Sequence, residues 1–397
     1  EIMPSLVGSE MCIRDRYNYM NKKDNPYQIC THCVLDTQDP NIRFDEYGVC
    51  DQCNDYKNNV EPTLDWDKKK VEFDAVIRKI KEDGKGRDFD CLLGMSGGVD
   101  CSYMLHLAVK ELGLRPLVFH VDGGWDSELA VNNIQMMVDK LGLDLYTEVI
   151  NWEEMKDFQL ALFKSGTPYL DSAQDLAFVG GVYKFAEKHK VKYILNGYNF
   201  SSEFCSYPSK YYFYDSKMMN DIHNRFGTNP MKTYPMTSVF YRKFYMKYIK
   251  GIKFVKLLTY FPYCKDEAKE MLQKEYGWIP YPQKHFESRF TRFFEGYWLP
   301  ERFGYDPRRV QFSSLILAGQ MTREEALEEL KKKPYDEETI KDDFKYVATK
   351  LGIFVDELQG YFEMPQKFYW DYKNNKEILD KLTRLVVKLH LDRAQTR

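Results

Sequence analysis

The chain has 397 residues, of which 44% are hydrophobic, and a formal net charge of −3. This length allows two or three domains with buried cores, and the small net charge excludes a protein that binds nucleic acid through its overall charge. No apolar run approaches the roughly 20 residues that cross a bilayer. Nine cysteines without a signal peptide fit a reducing compartment, so we expect a cytoplasmic protein.

The N-terminal segment differs in character from the rest of the chain. Residues 10–15, Glu-Met-Cys-Ile-Arg-Asp, resemble a translated transposon-end tag from the preparation of a sequencing library. We therefore expect residues 1–19 to be a non-native extension and the biological start to lie near Met20, in which case Cys12 has no role. A genuine but unusual N-terminus is the alternative, and an uninterrupted native reading frame would establish it.

Four cysteines come next, in two Cys-x-x-Cys pairs with sixteen residues between them. Each pair can clasp a metal ion from a tight turn, so residues 20–60 predict a zinc-ribbon module. Four thiolates complete a tetrahedron and leave no open position, which favours a structural role over a catalytic one. The expected zinc ligands are Cys30, Cys33, Cys50 and Cys53, and an iron–sulfur cluster or free thiols are the alternatives.

A helical pattern in residues 61–86 predicts a linker helix, and the apolar residues 89–95 after it predict a strand. The strand leads into Ser96-Gly97-Gly98-Val99-Asp100-Cys101-Ser102 and then into a second helical pattern, which Gly113 ends. Glycines let several backbone N–H groups approach one anion, and the helix adds the positive end of its dipole, so the stretch predicts a phosphate-binding loop. It lacks the Gly-x-x-x-x-Gly-Lys-Ser/Thr pattern of nucleoside-triphosphate hydrolases, and an ordinary glycine turn is the alternative.

Strand and helix patterns then alternate along the chain. Strands are predicted at residues 116–121, 145–150 and 193–195, and helices at residues 129–141 and 176–189. This alternation is typical of an α/β fold with a doubly wound parallel sheet, which we place in residues 87–262. Helical patterns, among them residues 323–330 with Thr322 as N-cap, predict a helical region over residues 263–397.

Polar clusters follow the predicted strands, where the ligands of open α/β sheets bind. Asp122 and Gly123 come after the second strand, and Gly197 comes after the last one. Asp122 could accept a hydrogen bond from a nucleotide, or it could cap a helix or close a turn. Six cationic residues lie beyond the predicted sheet and could reach phosphate or carboxylate groups. For about half of them, a position on the ordinary solvated surface is the alternative. These cations are Lys284, His285, Arg289, Arg292, Arg308 and Arg309.

The glycine-rich loop resembles the PP-loop of the ATP pyrophosphatase superfamily, whose pattern is Ser-Gly-Gly-x-Asp-Ser. Cys101 stands in place of the closing serine, and Ser102 follows it. From about Tyr27 to about Val355 the chain resembles the N-acetyl sugar amidotransferases, which include amidation enzymes of lipopolysaccharide and O-antigen and of pseudaminic or legionaminic acid. Besides the PP-loop, the resemblance is carried by Cys-Thr-His-Cys-Val-Leu-Asp at residues 30–36 and by residues 120–129, 197–203, 284–291, 303–309 and 313–316.

This resemblance implies a sheet of the adenine nucleotide alpha hydrolase-like type and an ATP-dependent reaction. An acetamido oxygen attacks the α-phosphate of ATP, pyrophosphate leaves in the PP-loop, and ammonia displaces AMP to give an acetamidino group. The implied catalytic residues are Asp100, Ser102, Lys284 and Arg289, and Asp100 is the candidate ligand of Mg²⁺ because that ion prefers oxygen ligands. The implied ATP-binding residues are Ser96, Gly97, Gly98, Val99, Asp100, Cys101, Ser102, Asp122, Gly123 and Gly197.

The sequence contains no glutaminase motif of the Gly-x-Cys-x-Gly type that would release ammonia. We therefore expect a separate glutaminase subunit, together with a cyclase-like barrel subunit as the resemblance implies, and neither a membrane nor a nucleic acid among the partners. Residues 241–256 interleave aromatic side chains with six basic ones. That segment suits a partner protein, a sugar or an RNA backbone, and an amphipathic helix is the simpler alternative.

Two other functions are compatible with these motifs. A tRNA thiolation enzyme also joins a PP-loop to Cys-x-x-Cys modules, but it needs a reactive cysteine or an iron–sulfur cluster near the loop. Cys91, Cys101, Cys205 and Cys264 form no Cys-x-x-Cys pair, and the small net charge is unfavourable for binding tRNA. The other alternative is a zinc-ribbon adaptor with a degenerate nucleotide fold, which would bind a partner but no ATP.

Overall fold

The computed structural model describes residues 26–388, except for the side chains of Lys243 and of residues 383–388. The segment interpreted as a non-native extension, including Cys12, therefore lies outside the described residues. Within the described part of the chain, no helix has the length and apolar character needed to cross a membrane.

The N-terminal module carries the first Cys-x-x-Cys pair on a turn and the second one where a turn leads into a helix. One backbone bridge joins Ile29 to Asp36, and a second joins Phe44 to Cys50. Helix α1 (Asp51–Asp55) begins directly after the second turn. Cys30, Cys33 and Cys50 thus lie on short turns, and Cys53 lies in α1.

A sheet of five parallel strands lies at the centre of the fold. The strands are β1 (Cys91–Gly94), β2 (Pro116–Asp122), β3 (Leu145–Val149), β4 (Tyr193–Leu195) and β5 (Lys253–Val255). Their spatial order is β3, β2, β1, β4, β5, so the strand order reverses beside β1. The crossovers on either side of this point place helices on both faces of the sheet. The doubly wound parallel sheet predicted from the sequence is confirmed.

Periodicity does not predict the edge strand β5. It lies in the basic and aromatic segment for which an amphipathic helix is one interpretation, and the structure has a π-helix there only over Tyr241–Ile249. Gly251, at a φ of +68°, then turns the chain into the strand. Three residues are too few for a period of two to stand out from a helical pattern.

Helices cover both faces of the sheet and form most of the C-terminal region. The helices between the module and residue 276 are α2 (Trp66–Asp83), α3 (Val99–His106), α4 (Glu128–Leu141), α5 (Trp152–Ser165), α6 (Ser172–Lys188), α7 (Phe200–Glu203), α8 (Ser216–Phe226) and α9 (Lys265–Tyr276). The later ones are α10 (Arg289–Phe293), α11 (Leu299–Phe303), α12 (Arg308–Leu317), α13 (Arg323–Lys331), α14 (Glu337–Leu351), α15 (Val355–Glu363) and α16 (Lys376–Lys388). Thr322 caps α13 in a capping box with Glu325, as the sequence predicts.

The sheet separates two apolar cores. Successive residues of a strand point to opposite faces, so Leu92 packs with α5, α6 and the C-terminal helices, whereas Leu93 packs with α2, α3, α4 and α9. The first core also takes in the cysteines of the N-terminal module. The module, one face of the sheet and the C-terminal helices therefore pack as one body, and the boundaries placed at residues 60, 86 and 262 stay predictions.

Candidate active site

A cleft of about 940 Å³ opens at the carboxyl ends of β1, β2 and β4. Residues that end or directly follow these strands form its floor, namely 94–96, 119–121 and 196–198. The C-terminal region closes the cleft from the opposite side with residues 281–285 and with one face of α12. The cleft lies beside the point where the strand order reverses, which is where open α/β sheets bind their ligands.

The PP-loop turns sharply at Gly97, whose φ of +82° is in the left-handed region. A Cβ there would approach the Ala130 carbonyl oxygen to 2.8 Å. The Gly97 carbonyl accepts hydrogen bonds from Trp278 Nε1 at 2.9 Å and from the Tyr281 hydroxyl at 3.2 Å, so two side chains of one segment hold the turn. Helix α3 begins within the same motif, at Val99. The free N–H groups of a helix N-terminus suit this end of the cleft to an anion.

Cys101, in the place of the usual serine, is tied into the loop. Its thiol donates to the Gly98 carbonyl oxygen at 3.2 Å and lies 3.4 Å from Ser96 Oγ. Burial raises the pKa of the thiol, and the hydrogen bond with Ser96 only partly opposes this. Cys101 therefore stays protonated at neutral pH and serves the loop as a hydrogen-bond donor, as a serine hydroxyl would.

Two lysines approach the loop from beyond the sheet. Lys265 places its ammonium 3.7 Å from the Asp100 carboxylate, and Lys284 donates to Glu203 Oε1 at 2.7 Å. Burial raises the pKa of Asp100, but the two ammonium groups and a 2.7 Å hydrogen bond from the Tyr263 hydroxyl outweigh it, so the pKa is below its usual value. This end of the cleft thus holds buried positive charge beside an ionised carboxylate.

Lys265 is a cleft residue that sequence reasoning missed. It is the first residue of α9, and its only local signal is that position at a helix start. Nothing in its spacing relates it to the PP-loop, because the fold alone brings α9 against α3.

Glu287 reaches the same end of the cleft, and sequence reasoning did not single it out either. A Cβ on Gly98 would collide with Glu287 Oε1, so the carboxylate lies against the loop. The Glu287 carbonyl accepts a hydrogen bond from the Ser127 amide at 2.8 Å, which fixes the backbone. Burial raises the pKa of Glu287, and His285 partly opposes this. Asp100 and Glu287 together offer carboxylate oxygens, the ligands that Mg²⁺ prefers.

The far end of the cleft has the opposite character. Asp171, Asp175 and Glu295 line it together with Tyr212 and Tyr214. The Tyr212 hydroxyl donates to Glu295 Oε1 at 3.2 Å, and Tyr214 is hydrogen-bonded to Asp175. Burial raises the pKa of Asp175 to about 6 and that of Asp171 well above its usual value. Carboxylates beside aromatic faces, with His285 paired to Glu295, suit a hydroxyl-rich ligand.

Two histidines line the cleft, and each one is held by a carboxylate. His285 has a φ of +67°, which is rare for a residue with a Cβ, and its Nδ1 lies 3.1 Å from Glu295 Oε2. His120 Nε2 lies 3.1 Å from Asp126 Oδ2. Burial lowers the pKa of both imidazoles, but the carboxylates outweigh it and the pKa of each is raised. Both rings therefore stay cationic to a higher pH than a free histidine.

Arg289, expected at the reacting phosphate, lies outside the cleft. Its Nε donates to Asp343 Oδ1 at 2.6 Å, and its guanidinium stacks 3.8 Å from the ring of Tyr346. Arg292 binds the same carboxylate through two hydrogen bonds of 2.7 Å. Asp343 is fully buried, so both arginines compensate a charge that would otherwise be costly. In the structure these contacts pack α10 against α14, and the catalytic role expected for Arg289 stays a prediction that its placement does not favour.

Four more residues expected at ATP are not among those that line the cleft, namely Gly97, whose turn is described above, Ser102, Asp122 and Gly123. Ser102 is fully buried on the inner side of α3. Asp122 Oδ1 accepts a hydrogen bond from the Gly124 amide at 2.7 Å, which makes Asp122 a turn residue, and a Cβ on Gly123 would meet the ring of Phe178 at 3.3 Å. Of the other expected residues, those that line the cleft are Ser96, Gly98, Val99, Asp100, Cys101, Gly197 and Lys284.

The four cysteines of the N-terminal module converge away from the cleft. All four sulfurs lie within 4.8 Å of one another, with Cys30 and Cys53 at 3.8 Å and Cys33 and Cys50 at 3.7 Å. A tetrahedral site with Zn–S bonds of about 2.3 Å places its sulfurs roughly 3.8 Å apart, so the cluster fits zinc. The amides of His32 and Cys50 also donate to Cys30 Sγ, which stabilises a thiolate.

Two family models match the chain. The phosphoadenosine phosphosulfate reductase domain matches residues 90–241, which contain the PP-loop and β1 to β4. Residues 90–241 are therefore similar to this domain, and they include the glycine-rich loop and four of the five strands. The second model, the C-terminal domain of WbpG-like LPS biosynthesis proteins, matches residues 287–386. The C-terminal region is thus similar to the C-terminal domain of WbpG-like LPS biosynthesis proteins, and the resemblance read from the motifs is confirmed at the level of these two domains.

Two solved structures align with about half of the chain. An NH3-dependent NAD synthetase from Campylobacter jejuni, in complex with nitrate, is 14% identical over 56% of this chain and 100% of its own, with a TM-score of 0.28. An NMN synthetase from Francisella tularensis is 11% identical over 54% of this chain and 98% of its own, with a TM-score of 0.27. Scores this low carry no argument about activity. No curated protein matches the chain.

Proposed function

We propose that the protein is an ATP-dependent amidotransferase that converts an N-acetyl group of a surface-polysaccharide or nonulosonic acid sugar into an acetamidino group. One observation carries the proposal: a single cleft has two unlike ends. The PP-loop end is flanked by Lys265 and Lys284, and the other end is lined by carboxylates and tyrosines, with Glu295 contributed by the WbpG-like domain. The phosphates of ATP and an uncharged part of the sugar would meet where these ends join.

An amide oxygen is a poor leaving group, so adenylation comes first. The acetamido oxygen bonds to the α-phosphorus while the bond to the departing pyrophosphate oxygen breaks, and the amide N–H proton is released, which gives an O-adenylyl imidate. The N–H groups of the PP-loop and the ammonium groups of Lys265 and Lys284 would stabilise the charge that develops on the phosphate oxygens. Asp100 and Glu287 would hold Mg²⁺, which supplies further positive charge to the phosphates.

Ammonia completes the proposed reaction. Its nitrogen bonds to the imidate carbon, and AMP leaves with the former acetamido oxygen. We propose that the protein is cytoplasmic and that a separate glutaminase subunit supplies this ammonia, with a cyclase-like barrel subunit as a further partner. The sequence supports a separate source because it carries no glutaminase motif of its own.

We also propose that the N-terminal module holds one structural Zn²⁺ ion, as the sulfur distances of 3.7 and 3.8 Å favour. Metal analysis of anaerobically purified protein tests this. One equivalent of zinc is expected in the unchanged protein and in a Cys264→Ser control, and none in Cys50→Ser. Iron with labile sulfide would replace the proposal by an iron–sulfur cluster.

The experiment that tests the activity measures AMP and pyrophosphate released from ATP with Mg²⁺, ammonium and a panel of N-acetylated nucleotide sugars and nonulosonic acids. We expect AMP formation that depends on one sugar, whose mass falls as an oxygen is replaced by an NH group. Unmodified tRNA with a sulfur donor is run in parallel. Turnover only with tRNA would make the protein a thiolation enzyme, against which the protonated, buried thiol of Cys101 already counts. If the protein did not bind ATP at all, the result would favour the alternative of a zinc-ribbon adaptor with a degenerate nucleotide fold.

A further inference from the structure

The N-terminal module is bonded to the WbpG-like domain. Arg323, the first residue of α13, donates through its guanidinium to the carbonyl oxygens of Cys30 and Cys33 at 3.0 to 3.1 Å. The Val34 amide donates to Ser313 Oγ at 3.2 Å. One arginine fork and one serine hydroxyl thus hold the backbone of the first Cys-x-x-Cys turn.

Helix α12 carries a second set of bonds to the same turn. Arg309 donates to the Val34 carbonyl oxygen at 2.8 Å, and its Nε lies 3.1 Å from Asp36 Oδ2. The Asp36 carboxylate is almost fully buried, so this ion pair is screened little by water. The module therefore holds the back of α12 through both charge and backbone hydrogen bonds.

The module also holds the segment at residues 204–206, which runs beside α12. The Ser206 amide donates to Gln52 Oε1 at 2.8 Å, and the Cys205 amide donates to Ser314 Oγ at 2.9 Å. The next residue along the chain is Tyr207, which lines the cleft. This segment is thus bonded to the module on one side and to α12 on the other.

The opposite face of α12 belongs to the cleft. Arg308, Gln311, Phe312 and Leu315 line it, and Gln311 donates to the Tyr207 hydroxyl at 3.5 Å. Helix α12 and the segment after residue 206 therefore form a wall of the cleft. One side of this wall contacts the metal module, and the other side lines the proposed sugar-binding end of the cleft. The PP-loop end has clamps of its own, from Trp278 and Tyr281, which do not involve the module.

We propose that the metal module is a positioning element for the sugar-binding wall of the cleft. Arg323 and Ser313 transmit the position of the first Cys-x-x-Cys turn to α12 and to residues 204–212, and thereby set the affinity for the sugar while leaving the affinity for ATP unchanged. The identity of the ligand at this wall rests on the proposed function; the mechanical coupling does not.

The test compares Arg323→Gln with Lys331→Gln, a matched control on the same helix whose ammonium pairs only with the exposed Glu328 in the described structure. Hydrogen exchange, zinc content and the KM values for ATP and for the sugar are measured for the full chain. In Arg323→Gln we expect unchanged zinc, faster amide exchange in residues 204–212 and 308–317, an unchanged KM for ATP and a KM for the sugar raised about tenfold. Ser313→Ala serves as a second variant if Arg323→Gln does not fold.

Exchange in the two segments equal to that of the control would overturn the coupling. Faster exchange with an unchanged KM for the sugar would overturn the positioning role. The exchange measurement needs no substrate, so it separates this inference from the proposed function: if no N-acetyl sugar were turned over while exchange still increased, the coupling would hold and the activity would be wrong.

Discussion

Lys265 and Asp100 form an ion pair of 3.7 Å between the first residue of α9 and the first turn of the helix that follows the PP-loop. Both side chains are mostly buried, and burial lowers the pKa of Lys265 although Asp100 opposes this. A buried ammonium with one carboxylate partner is held ready for a second anion. In the proposed reaction that anion is a phosphate of ATP.

Replacing Lys265 by Ala is expected to lower kcat for AMP formation by about 10² to 10³, because a preorganised positive charge is lost where phosphate charge develops. Lys274→Ala, an exposed position on the same helix, is the control. Steady-state release of pyrophosphate measures both variants. If Lys265→Ala and Lys274→Ala released pyrophosphate at equal rates, Lys265 would have no role in the reaction.

Gly97→Ala is expected to abolish ATP binding. The alanine would have to adopt the left-handed φ of +82° and would also meet the Ala130 carbonyl oxygen at 2.8 Å. Gly86→Ala separates the two effects, because Gly86 has a φ of +74° and a Cβ added there would meet no atom within 4 Å. That control should lose only about 1 kcal/mol of stability and keep its ATP affinity. Calorimetric titration with ATP and unfolding in urea measure the difference, and ATP binding by Gly97→Ala would contradict the role of this turn.

Asp175→Asn is expected to stabilise the protein at neutral pH. The pKa of Asp175 is raised to about 6 in the folded state, mainly by burial, so folding favours its protonated form. The stability that this group contributes is complete below pH of about 4 and is lost as the pH rises through 6. The variant should therefore be more stable than the unchanged protein at pH 7.5, by a free energy of unfolding on the order of 2 kcal/mol, and show no gain at pH 4.

Urea unfolding at several pH values tests Asp175→Asn. The exposed Asp342→Asn on α14 is the control and should change the pH dependence little. A gain of the same size for both variants, or one independent of pH, would contradict the assignment to Asp175.

Arg289→Ala is expected to keep kcat for AMP formation and to lose about 1 to 3 kcal/mol of stability. The buried Asp343 would retain only Arg292 of its two arginine partners, and the stacking on Tyr346 would be lost. Unfolding in urea and AMP release are measured beside Lys345→Ala, an exposed position on α14. A lower kcat for AMP formation with an unchanged free energy of unfolding would instead indicate that Arg289 takes part in the reaction.

Local signals were enough to predict several parts of this protein. The spacing of Cys30, Cys33, Cys50 and Cys53, the glycines of the PP-loop and the alternation of strand and helix patterns all depend on residues a few positions apart. Turn conformations, thiolate spacing and the burial of one face of an element act over that same short range. For this reason the four-cysteine cluster, the doubly wound sheet and the Thr322 cap could be predicted without coordinates.

The membership of the cleft was decided by the tertiary structure. Ser102 and Cys101 are neighbours, yet the helix turns Ser102 into the core and Cys101 towards the cleft. Arg289 follows a cleft segment but pairs with Asp343, whereas Lys265 comes from a separate helix to meet Asp100. Sequence determines which charges are available and which segments can be helix or strand. Which charge faces which depends on contacts between segments that are distant in the chain, and only packing around the sheet establishes those.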